Sequence, residues 1–61
     1  MRSFVVEYQG KDYQVTVRDD HPAVVTHNRK LVTSIFPFLE ENEPIQLMKK
    51  VVLRELEALP L

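Results

Sequence analysis

The feature that most constrains the fold is a pair of alternating apolar runs on either side of the chain's only glycine, Gly10. Every second residue of each run is apolar, which is the pattern of a strand with one buried face. These residues are Phe4, Val6 and Tyr8 in the first run and Tyr13, Val15 and Val17 in the second. Glycine tolerates the positive φ that a tight hairpin turn demands. Residues 3–18 are therefore predicted to form an antiparallel β-hairpin.

The register of this hairpin depends on which two residues form its turn. A turn at residues 10–11 pairs Tyr8 with Tyr13 and Val6 with Val15. Aromatic and aliphatic partners then face each other across the two strands, which stabilises a hairpin. This register is the predicted one.

A rival register places the turn one residue earlier, at residues 9–10. It sets Glu7 opposite Asp12, and like charges directly opposite each other are destabilising. In either register, Val5 lies on the face opposite the other apolar side chains. That position suggests that the second face of the sheet is at least partly covered.

The segment MRSFVVEYQGKDYQVTV, residues 1–17, resembles the first hairpin of ubiquitin-like proteins, with Phe-Val in the first strand and Gly-Lys in the turn. Ubiquitin-like folds continue with a long helix and two more strands, and conjugating modifiers end in Gly-Gly. Here residues 23–34 are rich in β-branched side chains, and the chain ends in Leu-Pro-Leu. The resemblance therefore implies the hairpin and nothing beyond it.

Residues 43–59 carry the pattern of an amphipathic helix. Pro44 suits a first helical turn, Asn42 or Glu43 can cap it, and Pro60 ends it. Apolar residues recur at intervals of three and four and cover about half of the circumference: Ile45, Leu47, Met48, Val51, Val52, Leu56, Ala58 and Leu59. A stripe this wide exceeds what a sheet of two or three strands can cover.

The segment between the hairpin and this helix, residues 23–41, allows more than one interpretation. One is a second hairpin that turns at residues 28–29, between two β-branched runs. Another is a helix over residues 28–41, which is disfavoured because Pro37 falls in its interior and its basic residues lie at the positive end of the helix dipole.

The preferred interpretation of this segment combines both kinds of structure. It has a strand at residues 23–27, an extended stretch near residues 31–33 and a short helix over residues 35–41. Ser34 caps that helix, and Pro37 lies in its first turn, where proline is tolerated.

The chain is thus predicted to be a single small α+β domain over residues 1–61. An N-terminal antiparallel hairpin, with or without a third strand, packs against a C-terminal helix that a short helix precedes. A chain of this length buries only about 60% of the surface that its unfolded form exposes. Small domains compensate with disulfides, a metal or a partner subunit. The absence of cysteine excludes disulfides and thiolate metal sites and makes association the expected source of additional stability.

The sequence predicts neither an enzyme nor a bound cofactor, because no catalytic or phosphate-binding motif is present. Four residues offer carboxylate or imidazole groups, but their spacing matches no metal signature: Asp19, Asp20, His21 and His27. The net charge is −1, and no apolar run approaches the roughly 20 residues that span a bilayer. A cytoplasmic protein without a membrane partner is expected.

The favoured function is a non-enzymatic protein-interaction module that homodimerises, or binds and modulates a larger protein, through its C-terminal helix. The predicted interface consists of apolar residues of the stripe and of the one carboxylate that lies among them. These residues are Met48, Val51, Val52, Glu55, Leu56 and Leu59. Glu55 has no basic neighbour three or four residues away. It is expected either to point into water or to be half-buried at a protein contact with a basic partner elsewhere: Arg18, Arg29, His27 or a basic residue of a second subunit.

The alternative function is a small DNA- or RNA-binding regulator. Five basic residues form the candidate surface: Arg29, Lys30, Lys49, Lys50 and Arg54. Nucleic-acid-binding domains usually carry a positive charge balance, so this alternative is not favoured.

Overall fold

One antiparallel sheet and one α-helix account for the secondary structure of residues 1–35 and 39–59, the residues described by the computed structural model. The elements are β1 (Arg2–Tyr8), β2 (Lys11–Val17), β3 (Ala23–His27), β4 (Lys30–Ile35) and α1 (Ile45–Ala58). The strands lie side by side in chain order. This architecture confirms the predicted α+β class and has one strand more than the preferred interpretation of the sequence.

The β1–β2 register is not the predicted one. Val6 pairs with Tyr13 and Glu7 with Asp12, so the predicted Tyr8–Tyr13 and Val6–Val15 pairs are wrong. The observed pairing is shifted by two residues, which leaves every side chain on its predicted face.

Turn geometry explains this register. The turn residues Gln9 and Gly10 both have positive φ, at 53° and 76°. Two consecutive positive φ values define the hairpin turn whose twist matches that of the flanking strands. Glu7 and Asp12 are both exposed, so water and salt weaken the repulsion that argued against this pairing.

Residues 23–35 form a second antiparallel hairpin, which is one of the interpretations that the sequence allows but not the preferred one. Asn28 and Arg29 form its turn, again with two positive φ values. Val25 pairs with Thr33 and Thr26 with Leu31, with a bulge between these two pairs. Thr and Val suit the pleated strand better than the helix because their branched side chains restrict χ1.

The predicted short helix over residues 35–41 is wrong wherever the structure describes that segment. Ser34 and Ile35 belong to β4, and residues 39–41 contain no helix. The predicted place of Pro37 in the first turn of that helix lies outside the described residues. The β-branched residues before the proline favour the strand, so β4 continues to Ile35.

The C-terminal helix forms where the sequence places it, with slightly narrower bounds. Pro44 is the N-cap, and no side chain provides a capping hydrogen bond there, so the predicted capping by Asn42 or Glu43 is not observed. Leu59 is the C-cap, and its backbone N–H donates to the carbonyl oxygen of Leu56. The predicted stop at Pro60 lies outside the described residues.

A single core forms between the helix and one face of the sheet. Its buried side chains are Val6, Val15, Val17, Ala23, Val25, Ile35, Leu39, Met48, Val52 and Leu56. Fully burying one aliphatic side chain of this size contributes about 1.5–3 kcal/mol, so the three helix residues in this list bind α1 firmly to the sheet.

Polar contacts fasten the β4–α1 connection to the start of the sheet. The Arg2 guanidinium donates to the carbonyl oxygens of Glu41 and Glu43 at 2.8 and 2.9 Å. The Glu41 carboxylate forms an ion pair with the N-terminal ammonium of Met1 and accepts a hydrogen bond from the Asp19 backbone N–H at 3.3 Å. The Glu41 backbone N–H in turn donates to the Asp19 carboxylate at 3.0 Å. These contacts hold the beginning of α1 next to β1.

The first prediction tests the phase of the helix with two identical substitutions. Leu56 is 5% exposed and Leu47 is 48% exposed. Leu56→Ala should lower the free energy of unfolding by about 2–5 kcal/mol, because it leaves a cavity in the core. Leu47→Ala should lower it by less than about 1 kcal/mol, because little buried contact is lost. Urea denaturation of both variants measures the difference, and equal effects would show that the helix packs through another face.

The second prediction concerns the pH dependence of stability. The pKa of the Glu41 carboxyl lies below its ordinary value of 4.5, mainly through the hydrogen bond with the N-terminal ammonium and then through that from the Asp19 backbone. A lowered folded-state pKa stabilises the protein above the unfolded-state pKa, and this contribution disappears as pH falls through the folded-state value. Glu41→Gln should therefore lose less stability than the wild type between neutral pH and pH values below 4.5.

Denaturant titrations over that pH range measure this effect. Glu40→Gln is the control, because the Glu40 side chain makes no hydrogen bond or ion pair with the described residues. Its pH dependence should match the wild type. An identical pH dependence for Glu41→Gln and the wild type would contradict a role for this carboxylate in holding the connection.

Candidate functional site

Three of the six predicted interface residues lie in the core of the single chain. Met48 and Val52 have no exposed surface, and Leu56 is also buried. They pack against the sheet of their own chain. The part of α1 that another protein can reach is therefore made by other residues.

The other three predicted interface residues, Val51, Glu55 and Leu59, are half-buried along the margin of α1. Glu55 forms no ion pair or hydrogen bond with any residue in the described ranges. Its side chain is half-buried, so it does not simply point into water. A carboxylate buried at a contact would need a basic partner, and none of the described residues provides one. Its predicted partners within the chain, Arg18, Arg29 and His27, do not reach it.

The outward face of α1 carries a shallow groove of about 350 Å³. Its lining combines apolar and charged side chains: Leu47, Lys50, Val51, Leu53, Arg54 and Glu57. Leu47 is the most exposed apolar residue of the groove. This strip is the helix surface that remains once the core has formed.

The face of the sheet opposite α1 is the second surface that residues 1–35 and 39–59 leave uncovered, and we call it the open face. Strand register assigns its members, because cross-strand partners point to the same side of a sheet. One row across the four strands is Ser3, Thr16, Val24 and Ser34, and the next is Val5, Gln14, Thr26 and Leu31. All eight are uncharged, so the middle of the open face carries no charge.

Three apolar side chains of the open face are exposed. Val5 is 53% exposed and Leu31 is 67% exposed, and Val24 is exposed as well. These three residues are most of the large hydrophobic residues exposed within the described part of the chain, the others being Met1 and Leu47. The sequence identified only Val5, because the positions of Val24 and Leu31 depend on the second hairpin and its bulge.

Charged residues lie at one end of the open face, near the two tight turns. The row there begins with Glu7 on β1 and Asp12 on β2 and continues to Asn28 and Arg29 in the β3–β4 turn. A cleft of about 360 Å³ joins Asp12, Asn28 and Arg29 to the uncharged row that includes Val5. The row is therefore acidic at the β1 edge and basic at the β4 edge.

The histidine and tyrosine side chains near these turns are used within the fold. His27 Nδ1 donates to the carbonyl oxygen of Asp12 at 3.0 Å, and its ring lies 5.2 Å from that of Tyr13. The ring centroids of Tyr8 and Tyr13 lie 6.4 Å apart, although the two residues are not cross-strand partners. Within residues 1–35 and 39–59, no group of three or more His, Asp or Glu side chains is arranged to hold a metal ion.

The five basic residues of the nucleic-acid hypothesis are divided between the two layers of the fold. Arg29 and Lys30 belong to the β3–β4 hairpin, and Arg29 lines the open face. Lys50 and Arg54 line the groove on the outward face of α1, in the other layer. The described structure thus offers no single surface on which all five residues converge.

No protein family, curated protein or solved structure matches this chain. The described residues include no helix that is both long and apolar enough to cross a membrane. The groove on α1 and the open face are therefore the surfaces from which a function can be inferred.

The third prediction separates the two fates of Glu55. Because it lacks a partner in the described structure, Glu55→Gln should change the free energy of unfolding by less than about 0.5 kcal/mol. It should also leave self-association unchanged if α1 does not form the contact. Denaturation and light scattering measure both quantities, with Glu55→Leu as the companion variant. A clear loss of association in Glu55→Gln would place this carboxylate in the interface.

Proposed function

We propose that this chain is a non-enzymatic protein-interaction module that homodimerises. The observation that carries the proposal is the open face, where Val5, Val24 and Leu31 remain exposed after the core has formed. Exposed apolar surface of this kind, surrounded by polar residues, is typical of protein contacts. Self-association would also provide the additional burial that a chain of 61 residues lacks on its own.

The C-terminal helix is the second surface available for this function. Its groove offers Leu47 together with the flanking Val51 and Leu53, in place of the core residues that the sequence favoured. A helix of 14 residues is about 21 Å long and about 10 Å wide. It therefore presents a footprint of about 210 Å², which is small for an independent interface.

The fourth prediction tests dimerisation itself. Light scattering coupled to gel filtration should show a mass clearly above that of one chain at about 100 μM, the concentration at which an association of about 5.5 kcal/mol is half-populated. The apparent mass should fall toward that of one chain on dilution below about 1 μM. A monomer at every concentration up to about 100 μM would overturn the proposal.

The same samples separate this function from nucleic-acid binding. Contacts with phosphates weaken steeply as salt rises, because bound counterions are released. A dimer that forms without nucleic acid, and does not bind DNA or RNA at low salt, agrees with the proposal. Salt-sensitive binding of nucleic acid by a monomeric chain would favour the alternative.

A further inference from the structure

We infer that the dimer forms through the open face, with the two sheets packed face to face around a twofold axis that lies between them and runs parallel to the strands. This inference rests on the proposed homodimerisation and adds which surface is used and in which orientation. The occupant of the open face is then a second copy of this chain. Three features of the face carry the argument: its size, the order of its side chains and its charges.

Size favours the open face over the outward face of α1. Four strands spaced about 4.8 Å apart are about 19 Å wide, and six residues along a strand extend for about 20 Å. The footprint is therefore about 380 Å², almost twice that of the helix. Two such faces still cover less than the roughly 1,200 Å² of a stable specific interface, so the dimer should be weak.

The order of the side chains makes the face complementary to itself. A twofold axis parallel to the strands, between β2 and β3, places β1 over β4 of the second copy and β2 over β3. In the row Val5, Gln14, Thr26, Leu31, Val5 of one copy then lies over Leu31 of the other. Val5 and Leu31 are the two most exposed apolar residues of the face. The twofold axis thus gives two Val5–Leu31 contacts in one dimer.

Small side chains permit the close approach that packed sheets require. In the neighbouring row, Ser3 lies over Ser34 of the second copy, and Thr16 lies over Val24. Sheets pack about 10 Å apart with their strands nearly aligned, and this axis keeps the strands aligned. Ser3 and Ser34 are on the edge strands, so their hydroxyl groups would lie at the rim of this contact, whereas Thr16 and Val24 would lie next to the axis.

Charges select this axis over the other twofold arrangement in the same plane. With the axis parallel to the strands, the acidic Glu7 on β1 lies over Arg29 of the second copy, next to β4. With the axis perpendicular to the strands and passing through the row of Val5, Glu7 would lie over Ser3 of the second copy, and Arg29 would lie away from any carboxylate of the face. Opposite charges across an interface fix orientation and suppress wrong pairings.

The fifth prediction uses two charge reversals that rescue each other. Arg29→Glu makes both ends of the row acidic, and Glu7→Arg makes both ends basic, so each variant alone should dissociate at least five-fold more readily than the wild type. Mixed in equal amounts, the two variants restore both charge pairs in one heterodimer. The mixture should therefore dimerise at least as well as the wild type, as measured by sedimentation equilibrium at low salt.

Control variants distinguish a test of dimerisation itself from a test of the inferred interface and axis. Both reversed residues are exposed, and circular dichroism checks that each variant is folded. Leu31→Asp should abolish the dimer, whereas Leu47→Asp on α1 should leave its dissociation constant within two-fold of the wild type. If Leu47→Asp dissociates the dimer and Leu31→Asp does not, the homodimer stands and the open face is not its interface. If the single reversals weaken the dimer and their mixture does not recover, the inferred axis is overturned.

Discussion

The contact between the apolar stripe of α1 and one face of the sheet is the interaction on which the rest of the molecule depends. Met48, Val52 and Leu56 are buried against strand residues such as Val15 and Val25. Without the helix, a four-stranded meander would have no covered face and no core. The polar contacts around Glu41 add to this packing by holding the start of α1 next to β1.

One helix can cover only one face of a sheet, and this limit produces the molecule's second surface. In the described structure nothing lies over the open face, and its central rows contain no charged side chain. Natural sheets with one solvated face usually alternate apolar residues inside with polar residues outside. Val5, Val24 and Leu31 break that alternation, and a face that binds a second sheet gains stability from such residues. Pairing two copies would thus complete a four-layer arrangement with both helices on the outside.

The elements that could be predicted from the sequence are those set by local pattern. The strict alternation from Phe4 to Val17 gave the correct faces of β1 and β2, and the stripe from Ile45 to Leu59 gave the buried side of α1. The register failed because two effects competed. The twist of a turn with positive φ at Gln9 and Gly10 outweighed an exposed like-charge pair that solvent screens.

The candidate site was harder to predict because its members come together only through long-range pairing. Val5 lies on the face opposite the other apolar side chains of β1, and the alternation of the strand alone places it there. Leu31 could not be assigned to the same face, since its side depends on the bulge between β3 and β4. The width of the helix stripe predicts apolar surface left over for a partner, whereas four strands rather than three bury most of the stripe in or against the core.

The most direct test of the central claim is an isotope-filtered NOESY experiment on an equimolar mixture of labelled and unlabelled chains at millimolar concentration. This experiment detects contacts between copies alone. The account predicts cross-peaks between the methyl groups of Val5 in one copy and Leu31 in the other. Cross-peaks from Leu47 or Val51 on α1, with none from Val5 or Leu31, would contradict it.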